Sequence, residues 1–404
     1  MTDTPIERAN KDSGKIFLQP GIFCLTKVLI RKEDFIMTEE QVLLYRIALT
    51  LIPGIGDVQG KRLVAYCGGP EAVFKERKKN LLKVPGIGEY LAGSIARREI
   101  FLRAEKEIVF ITQYGIPPLF YLDPPYPERL RHCEDGPMML YLKGAADLSR
   151  MRVLSVVGTR KPTDYGKAMC QQIIQGLADQ EVLIVSGLAY GVDTIAHRSA
   201  LANGLPTVGV LAHGLDMIYP YINRPLAEKM VPDGGVLTEF LSGTKLNRDY
   251  FPRRNRIIAG IADATLVIES AEKGGALITA DIANSYNRDV FALPGRVTDE
   301  KSSGCNALIR MNKAALVQSA ADICFLMGWD RSGAQVHAQQ RLFLEMDEAE
   351  KKIYEILQQK QEADIDEIYL ASGMTPSKVA SVLLKLEFEG LVRTLPGKRF
   401  RFSS

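Results

Sequence analysis

The 404-residue chain holds one tryptophan, four histidines and six cysteines (Cys24, Cys67, Cys133, Cys170, Cys305 and Cys324), none of them in a C-x-x-C pair. This scarcity excludes zinc ribbons, redox pairs and disulfide scaffolds, and predicts reduced, mostly buried thiols. No apolar run approaches the ~18–20 residues that cross a bilayer, and no charged start precedes an apolar block and cleavage site. The chain therefore reads as cytoplasmic, with no membrane partner. Charge of one sign is also lacking: the net value is +3, so a nucleic-acid role must come from local clustering. Nucleotide and hydrolase fingerprints fail as well. The first α/β strand is not followed by G-x-G-x-x-G, and Gly56-Asp-Val-Gln-Gly60-Lys61 is misspaced for a P-loop and continues into Arg62. Ile184 stands where a G-x-S-x-G elbow around Ser186 needs its first glycine. Neither a cofactor nor a metal is expected.

What is present is the balance of a folded protein, 46% hydrophobic and 25% charged, with length for roughly two to four domains. Residues 1–36 show no periodicity and read as a weakly ordered extension, with Met37 a candidate start and Thr38 a helix cap. Helical spacing then carries a repeated phrase, L-I-P-G-I-G at Leu51–Gly56 and K-V-P-G-I-G at Lys83–Gly88. This is the turn of a helix-hairpin-helix, in which glycines let the backbone approach a phosphate and the next helix offers free N–H groups. Residues 41–100 carry ten basic and five acidic groups, so Gly54, Gly56, Lys61, Gly86 and Gly88 are secondary candidates for DNA backbone contact. The competing reading is that these hairpins only build a small helical domain.

A proline-rich bridge at 117–127 suggests extended interdomain chain. Beyond it, β-branched runs at Val153–Val157, Val182–Val185, Thr207–Leu211, Val236–Thr238, Thr265–Ile268 and Val290–Leu293 predict strands buried on both faces. Helical stretches at Tyr165–Asp179, Val192–Asn203, Asn255–Ile261 and Ala276–Asn287 alternate with them, which is the pattern of a doubly wound α/β domain. After a polar linker, three short helices and a hairpin suggest a winged helix. The expected boundaries are 37–115 helical, 116–327 core, 328–346 linker and 347–404 winged helix. The last segment carries nine basic and ten acidic groups, which suits protein contact better than duplex binding.

Three core segments carry chemistry. Gly158, Thr159 and Arg160 end the first core strand, placing a hydroxyl and a guanidinium at the edge of the sheet where ligands bind. Lys245–Gly260 holds five basic residues against Asp249, with Tyr250 and Phe251 directly before Arg253, Arg254 and Arg256. Arginines beside stackable rings suit single-stranded nucleic acid. Lys273, Gly274 and Gly275 lead from a strand into a helix and form a second anion cradle. Asp193 and His197 read as a buried hydrogen-bonding pair rather than a metal or catalytic site.

Val157-Gly-Thr-Arg160, Ser186-Gly-Leu-Ala189 with Gly191-Val-Asp193, Gly214-Leu-Asp216 with Tyr219-Pro220, Phe251-Pro-Arg-Arg-Asn-Arg-Ile-Ile258, Gly274–Ala280 and Asn306-Ala-Leu-Ile309 closely resemble the DprA/Smf family, densely over about 120–330. The resemblance implies an extended Rossmann-like core with a helical, SAM-like domain before it and a winged helix after it. It also implies a non-catalytic DNA-processing protein of natural transformation that binds and protects single-stranded DNA and loads RecA recombinase. The strand pocket would involve Arg160, Ser186, Gly187, the run Arg253, Arg254, Asn255, Arg256 and the Lys273–Gly275 loop, and a homodimer would form through the core between Gly304 and Leu326. Asn312-Lys313-Ala314 departs from the family's usual glycine-alanine. A rival enzyme class, the LOG-like phosphoribohydrolases, needs P-G-G-x-G-T-x-x-E, whereas Gly274-Gly275 is followed by Ala276-Leu277-Ile278-Thr279.

Overall fold

The computed structural model describes residues 38–95, 98–329, 347–360, 362–388, 391–395 and 399–402. The expected extension 1–36, the candidate start Met37 and residues 330–346 of the expected linker lie outside the described residues. The described chain falls into two compact units that divide near residue 332. No described helix is long and apolar enough to cross a membrane. No disulfide joins the five described cysteines among the described residues, and four of them, Cys133, Cys170, Cys305 and Cys324, are buried.

The six predicted core strands all form, each within one or two residues of its expected limits. They are β3 (Val153–Val157), β4 (Leu183–Ser186), β5 (Thr207–Val210), β6 (Gly235–Thr238), β7 (Ala264–Val267) and β8 (Asp289–Ala292). Nearly every residue in them is buried, as parallel strands covered by helices on both faces require. Three further strands were not foreseen: β1 (Pro118–Phe120), β2 (Met139–Gly144) and β9 (Ala315–Leu316). The sheet order is β1-β2-β6-β5-β4-β3-β7-β8-β9, with the β1–β2 and β2–β6 pairs antiparallel and the other six pairs parallel. The proline-rich bridge is therefore part of the sheet rather than a linker. Its prolines exclude helix, but β6 would otherwise be an open edge, and β2 satisfies it while burying Leu140 and Tyr141.

Helix Tyr250–Ile261 begins five residues before its expected start at Asn255. Pro252 sits in the first turn, where backbone N–H groups have no intrahelical partner to lose. The helical period therefore applies to the whole arginine cluster. One side, at Phe251, Arg254, Asn255 and Ile258, faces the carboxyl ends of the strands. Another, at Tyr250 and Arg253, faces the helical region near Gly56 and Asp57.

The helical region opens with helix Glu39–Thr50, capped by Thr38 with Gln41 completing a capping box. Both repeated phrases form tight turns, with Gly54 and Gly86 at φ +81° and +86°, leading into helices Asp57–Cys67 and Glu89–Ser94. One apolar cluster unites this region with the sheet: Ile47, Leu63 and Ile108 join Phe120, Met138 and Tyr141. A charged lock reinforces it. Arg256 donates to Glu239 Oε2 at 2.5 Å, to Asp57 Oδ2 at 3.1 Å and to the Asp135 carbonyl. Asp57 also accepts the Met138 N–H at 2.8 Å, and Arg253 adds a second pair to Glu239 at 2.8 Å.

The second unit has helices Glu348–Lys360, Ile365–Ser372 and Pro376–Phe388 around Ile353, Leu357, Ile368 and Leu386. Three short strands, β10 (Glu362–Asp364), β11 (Val392–Leu395) and β12 (Arg399–Phe402), form a sheet in the order β10-β12-β11. Its cations are largely paired internally: Lys360 with Glu367, Lys378 with Asp347, Lys385 with Glu350, and Arg399 and Arg401 with Glu362.

The lock makes a stability prediction. Arg256→Met leaves Glu239 buried and short of its main partner, and should cost about 3–5 kcal/mol in urea unfolding. Adding Glu239→Leu should recover much of that loss, and an unrecovered double variant would mean that packing, not charge, is what Arg256 supplies.

Candidate nucleic-acid interface

Strand order reverses between β3 and β7, and open α/β sheets hold ligands outside the carboxyl ends of the strands at such a point. A cleft of about 450 Å³ lies there. Its walls come from the turns after β3, β4 and β7 and from helix Tyr250–Ile261. Of the residues predicted from sequence, the structure brings Gly158, Thr159, Arg160, Phe251, Arg254, Asn255, Gly274 and Gly275 to this one cleft. Segments more than a hundred residues apart meet because β3 and β7 are neighbours in the sheet.

Arg160 is exposed at the rim, with its guanidinium carbon 5.8 Å from the centre of the Phe251 ring. Arg254 lies beneath, 5% exposed, and donates to the carbonyls of Gly187 (2.6 Å) and Val210. Burial pushes its pKa down to about 10, with Asp193 opposing the shift and Arg160 adding to it, so it remains a cation at neutral pH. The cleft thus has one exposed and one recessed positive charge beside an aromatic face.

Helix starts complete the electrostatics. Helix Gly275–Ser285 has no side-chain cap at Gly274, so its free N–H groups and positive end meet the cleft at Gly274–Ala276. Helix Asp164–Gly176, which follows Arg160, does not serve this way. Thr163 caps it, accepting from the Gly166 N–H at 3.1 Å, and Glu269 accepts from both the N–H and the hydroxyl of Thr163. The uncapped helix start at the cleft is therefore the one after β7, not the one after β3.

The start of the turn after β4, Ser186 and Gly187, is scaffolding, whereas Ala189 and Tyr190 line the cleft. Ser186 is fully buried and donates to the Val156 carbonyl at 2.6 Å, so it does not line the cleft as expected. Asp193 accepts the Ala189 N–H at 3.2 Å and also faces Ser186 and the Gly187 N–H. Gly187 touches only a smaller adjoining recess of about 160 Å³, and a Cβ there would come within 2.6 Å of the Arg254 guanidinium. Gly191, at φ +79°, passes so close to Thr159 that a Cβ would lie 2.4 Å from its carbonyl oxygen. Asp193 and His197 do not pair with each other: His197 Nδ1 meets Thr207 Oγ1 at 2.7 Å, and Asp193 is held by the turn and by Arg254.

Other sequence candidates lie elsewhere. Arg256 and Arg253 belong to the lock, and Tyr250 stacks on Phe240 with ring centroids 4.6 Å apart. Lys273 is exposed on its loop but does not line the cleft. Lys61 donates to the carbonyls of Cys133 and Glu134 at 3.3 and 3.2 Å, and Gly54 packs beside Leu91, so the first hairpin is a packing element. Gly56, Gly86 and Gly88 remain exposed. Sequence reasoning missed Tyr190, Ser270 and Thr279 among the lining residues. Tyr190 sits inside the Ala189–Gly191 turn, so its position in that motif was the available signal.

Comparison with known proteins agrees with this architecture. Residues 118–328 match the family described as DNA recombination-mediator protein A, and residues 339–398 match the DprA winged helix domain. The chain is 33% identical over 390 residues to Protein Smf of Synechocystis sp., covering 88% of this chain and 98% of that protein. It is 42% identical over 207 residues to the DNA processing protein DprA of Streptococcus pneumoniae, covering 51% of this chain and 73% of that protein. The X-ray structure of DprA from Streptococcus pneumoniae superposes with a TM-score of 0.61 at 32% identity, covering 72% of this chain and 98% of that one.

The buried imidazole beneath the cleft predicts a pH dependence. Burial, aided by Arg254, holds His197 down at about 3, so the folded state resists a proton that the unfolded chain accepts near 6.5. Its contribution is complete above about pH 6.5 and declines as pH falls toward 3, by about 2 kcal/mol at pH 5. Asp193 and Glu239, held high by burial, act in the opposite sense. The test is therefore the difference between chemical-denaturation profiles of the unsubstituted protein and His197→Gln, which should converge as pH drops from 7 to 5. Parallel profiles would mean that His197 titrates alike folded and unfolded.

Proposed function

Because the chain belongs to the DNA recombination-mediator protein A family of DprA and Smf proteins, and is a DNA-processing protein by that membership, we propose that it binds single-stranded DNA at the switch-point cleft. One observation carries this reading: the Arg160 guanidinium stands over the Phe251 ring, beside the uncapped start of helix Gly275–Ser285 and above the Arg254 cation. A phosphate there meets two guanidinium charges and a helix dipole, and the neighbouring base meets an aromatic face. Duplex holds its bases stacked inside and cannot offer one to Phe251, so the cleft favours the single strand.

The protein acts by binding, without turnover. Ser186 and His197, which would invite a hydrolase reading, are each committed to a structural hydrogen bond, to the Val156 carbonyl and to Thr207. Covering the strand protects it, and the family resemblance extends the proposal to delivery onto RecA recombinase during natural transformation in the cytoplasm. Two chains pair through the far edge of the core. There, among the described residues, β9 bonds only to β8, and Met311, Leu316, Phe325 and Leu326 leave large apolar side chains at the surface. The expected domain boundaries, with the core at 116–327 and the winged helix at 347–404, form part of the same proposal.

Fluorescence anisotropy of a labelled single strand at several salt concentrations tests the site. Arg160→Ala should weaken binding, and removing one phosphate contact should shrink the slope of log affinity against log salt by about 0.7. Equal affinity and slope would move the site elsewhere. For the pairing edge, Phe325→Glu should convert a dimer to a monomer in light scattering, and an unchanged mass would place the interface on another face.

A further inference from the structure

The loops that surround the cleft differ in chemistry on its two sides. Beyond β7 and β8 the exposed loops mix Glu272, Asp299 and Glu300 with Lys273 and Arg296 and hold no aromatic ring, so they offer an unpaired base no stacking face. Beyond β4 and β5, apolar and aromatic side chains dominate. Tyr190, half exposed, lines both the cleft and the adjoining recess, whose wall continues through Tyr219 and Pro220. The next two residues, Tyr221 and Ile222, are 59% and 66% exposed.

The two loops are joined from beneath. Asn223, 1% exposed, donates its amide to the carbonyls of Leu188 (2.9 Å) and Ala189 (3.4 Å) and to Thr194 Oγ1 (2.9 Å). This fixes the turn carrying Tyr221 and Ile222 against the turn carrying Tyr190. It also holds Leu188 at φ +55°, a left-handed conformation that leucine rarely adopts unless its surroundings impose it. Rings this exposed contribute little to the core, yet their backbone is anchored by a buried amide, so they stand as a fixed surface.

We propose that Tyr190 and Tyr221, with Ile222 beside them, form a stacking ledge that receives the bases next to the one held at Phe251, so that a single strand leaves the cleft across the ends of β4 and β5. The inference rests on the binding function proposed above. Continuity with the cleft names the occupant. The recess shares Arg160, Tyr190, Phe251 and Arg254 with the cleft, and an unpaired base presents a flat apolar face to a flat apolar surface whatever its sequence. Ledge contacts therefore involve bases, not phosphates.

That distinction supplies the test, run on the full chain with a labelled oligothymidine of about 16 nucleotides and with an abasic strand of the same length. Tyr190→Ala/Tyr221→Ala should bind oligothymidine at least about five-fold more weakly, the low end of one base stack, with the salt slope unchanged. The same variant should match the unsubstituted protein on the abasic strand. Tyr190→Phe/Tyr221→Phe, which keeps the rings, should bind oligothymidine normally. Unchanged affinity of the alanine variant, a shallower salt slope, or equal loss in the phenylalanine variant would each overturn the ledge while leaving the cleft standing. Failure of the unsubstituted protein to bind oligothymidine would overturn the cleft and the ledge together.

Discussion

A buried guanidinium organises the ligand edge of this sheet. Arg254 is almost wholly withdrawn from water, and a cation in that position is tolerated only if carbonyl oxygens and a negative charge surround it. The Gly187 and Val210 carbonyls and the Asp193 carboxylate meet that demand. Meeting it dictates the shape of the turn after β4, whose carbonyls point down to Arg254 and Asn223 while the Ala189 N–H is taken by Asp193. The glycine at 187 follows directly, since a side chain there would displace the guanidinium.

The same helix that carries Arg254 divides a dense run of charge between two tasks. With about 3.6 residues per turn, Phe251, Arg254, Asn255 and Ile258 share a side, and Arg253 and Arg256 turn away from it. The first set shapes the cleft. The second reaches Glu239 and Asp57, and through them fixes the helical region to the sheet. Cleft wall and structural lock are thus two faces of one element, so the position of the cleft's wall depends on ion pairs on the opposite side of the helix.

Much of this organisation is legible in the residues. Continuous β-branched runs reveal parallel strands because both faces of such strands are covered. Glycine-rich turns at strand ends mark the candidate ligand edge, which is why Gly158–Arg160 and Gly274–Gly275 pair from the sequence pattern alone. The motifs from Val157 to Ile309 identified the family for the same reason: they are the turns that close approaches of backbone demand, as at Gly191 against Thr159. Strands β1 and β2 were not legible, because their partner is an edge of the sheet that only the assembled order exposes.

The sequence alone determined a doubly wound α/β core with a helical repeat before it and a winged-helix order after it, and it placed Gly158–Arg160 and Gly274–Gly275 at the ends of strands. These follow from periodicity and from turn residues, which are local. What only the tertiary structure decided is which charges face a ligand. Arg256 meets Asp57 across 199 positions of sequence, and Lys61 meets the Glu134 carbonyl across 73. Whether a charge stands beside the cleft or is turned into a distant contact away from it is chosen by packing.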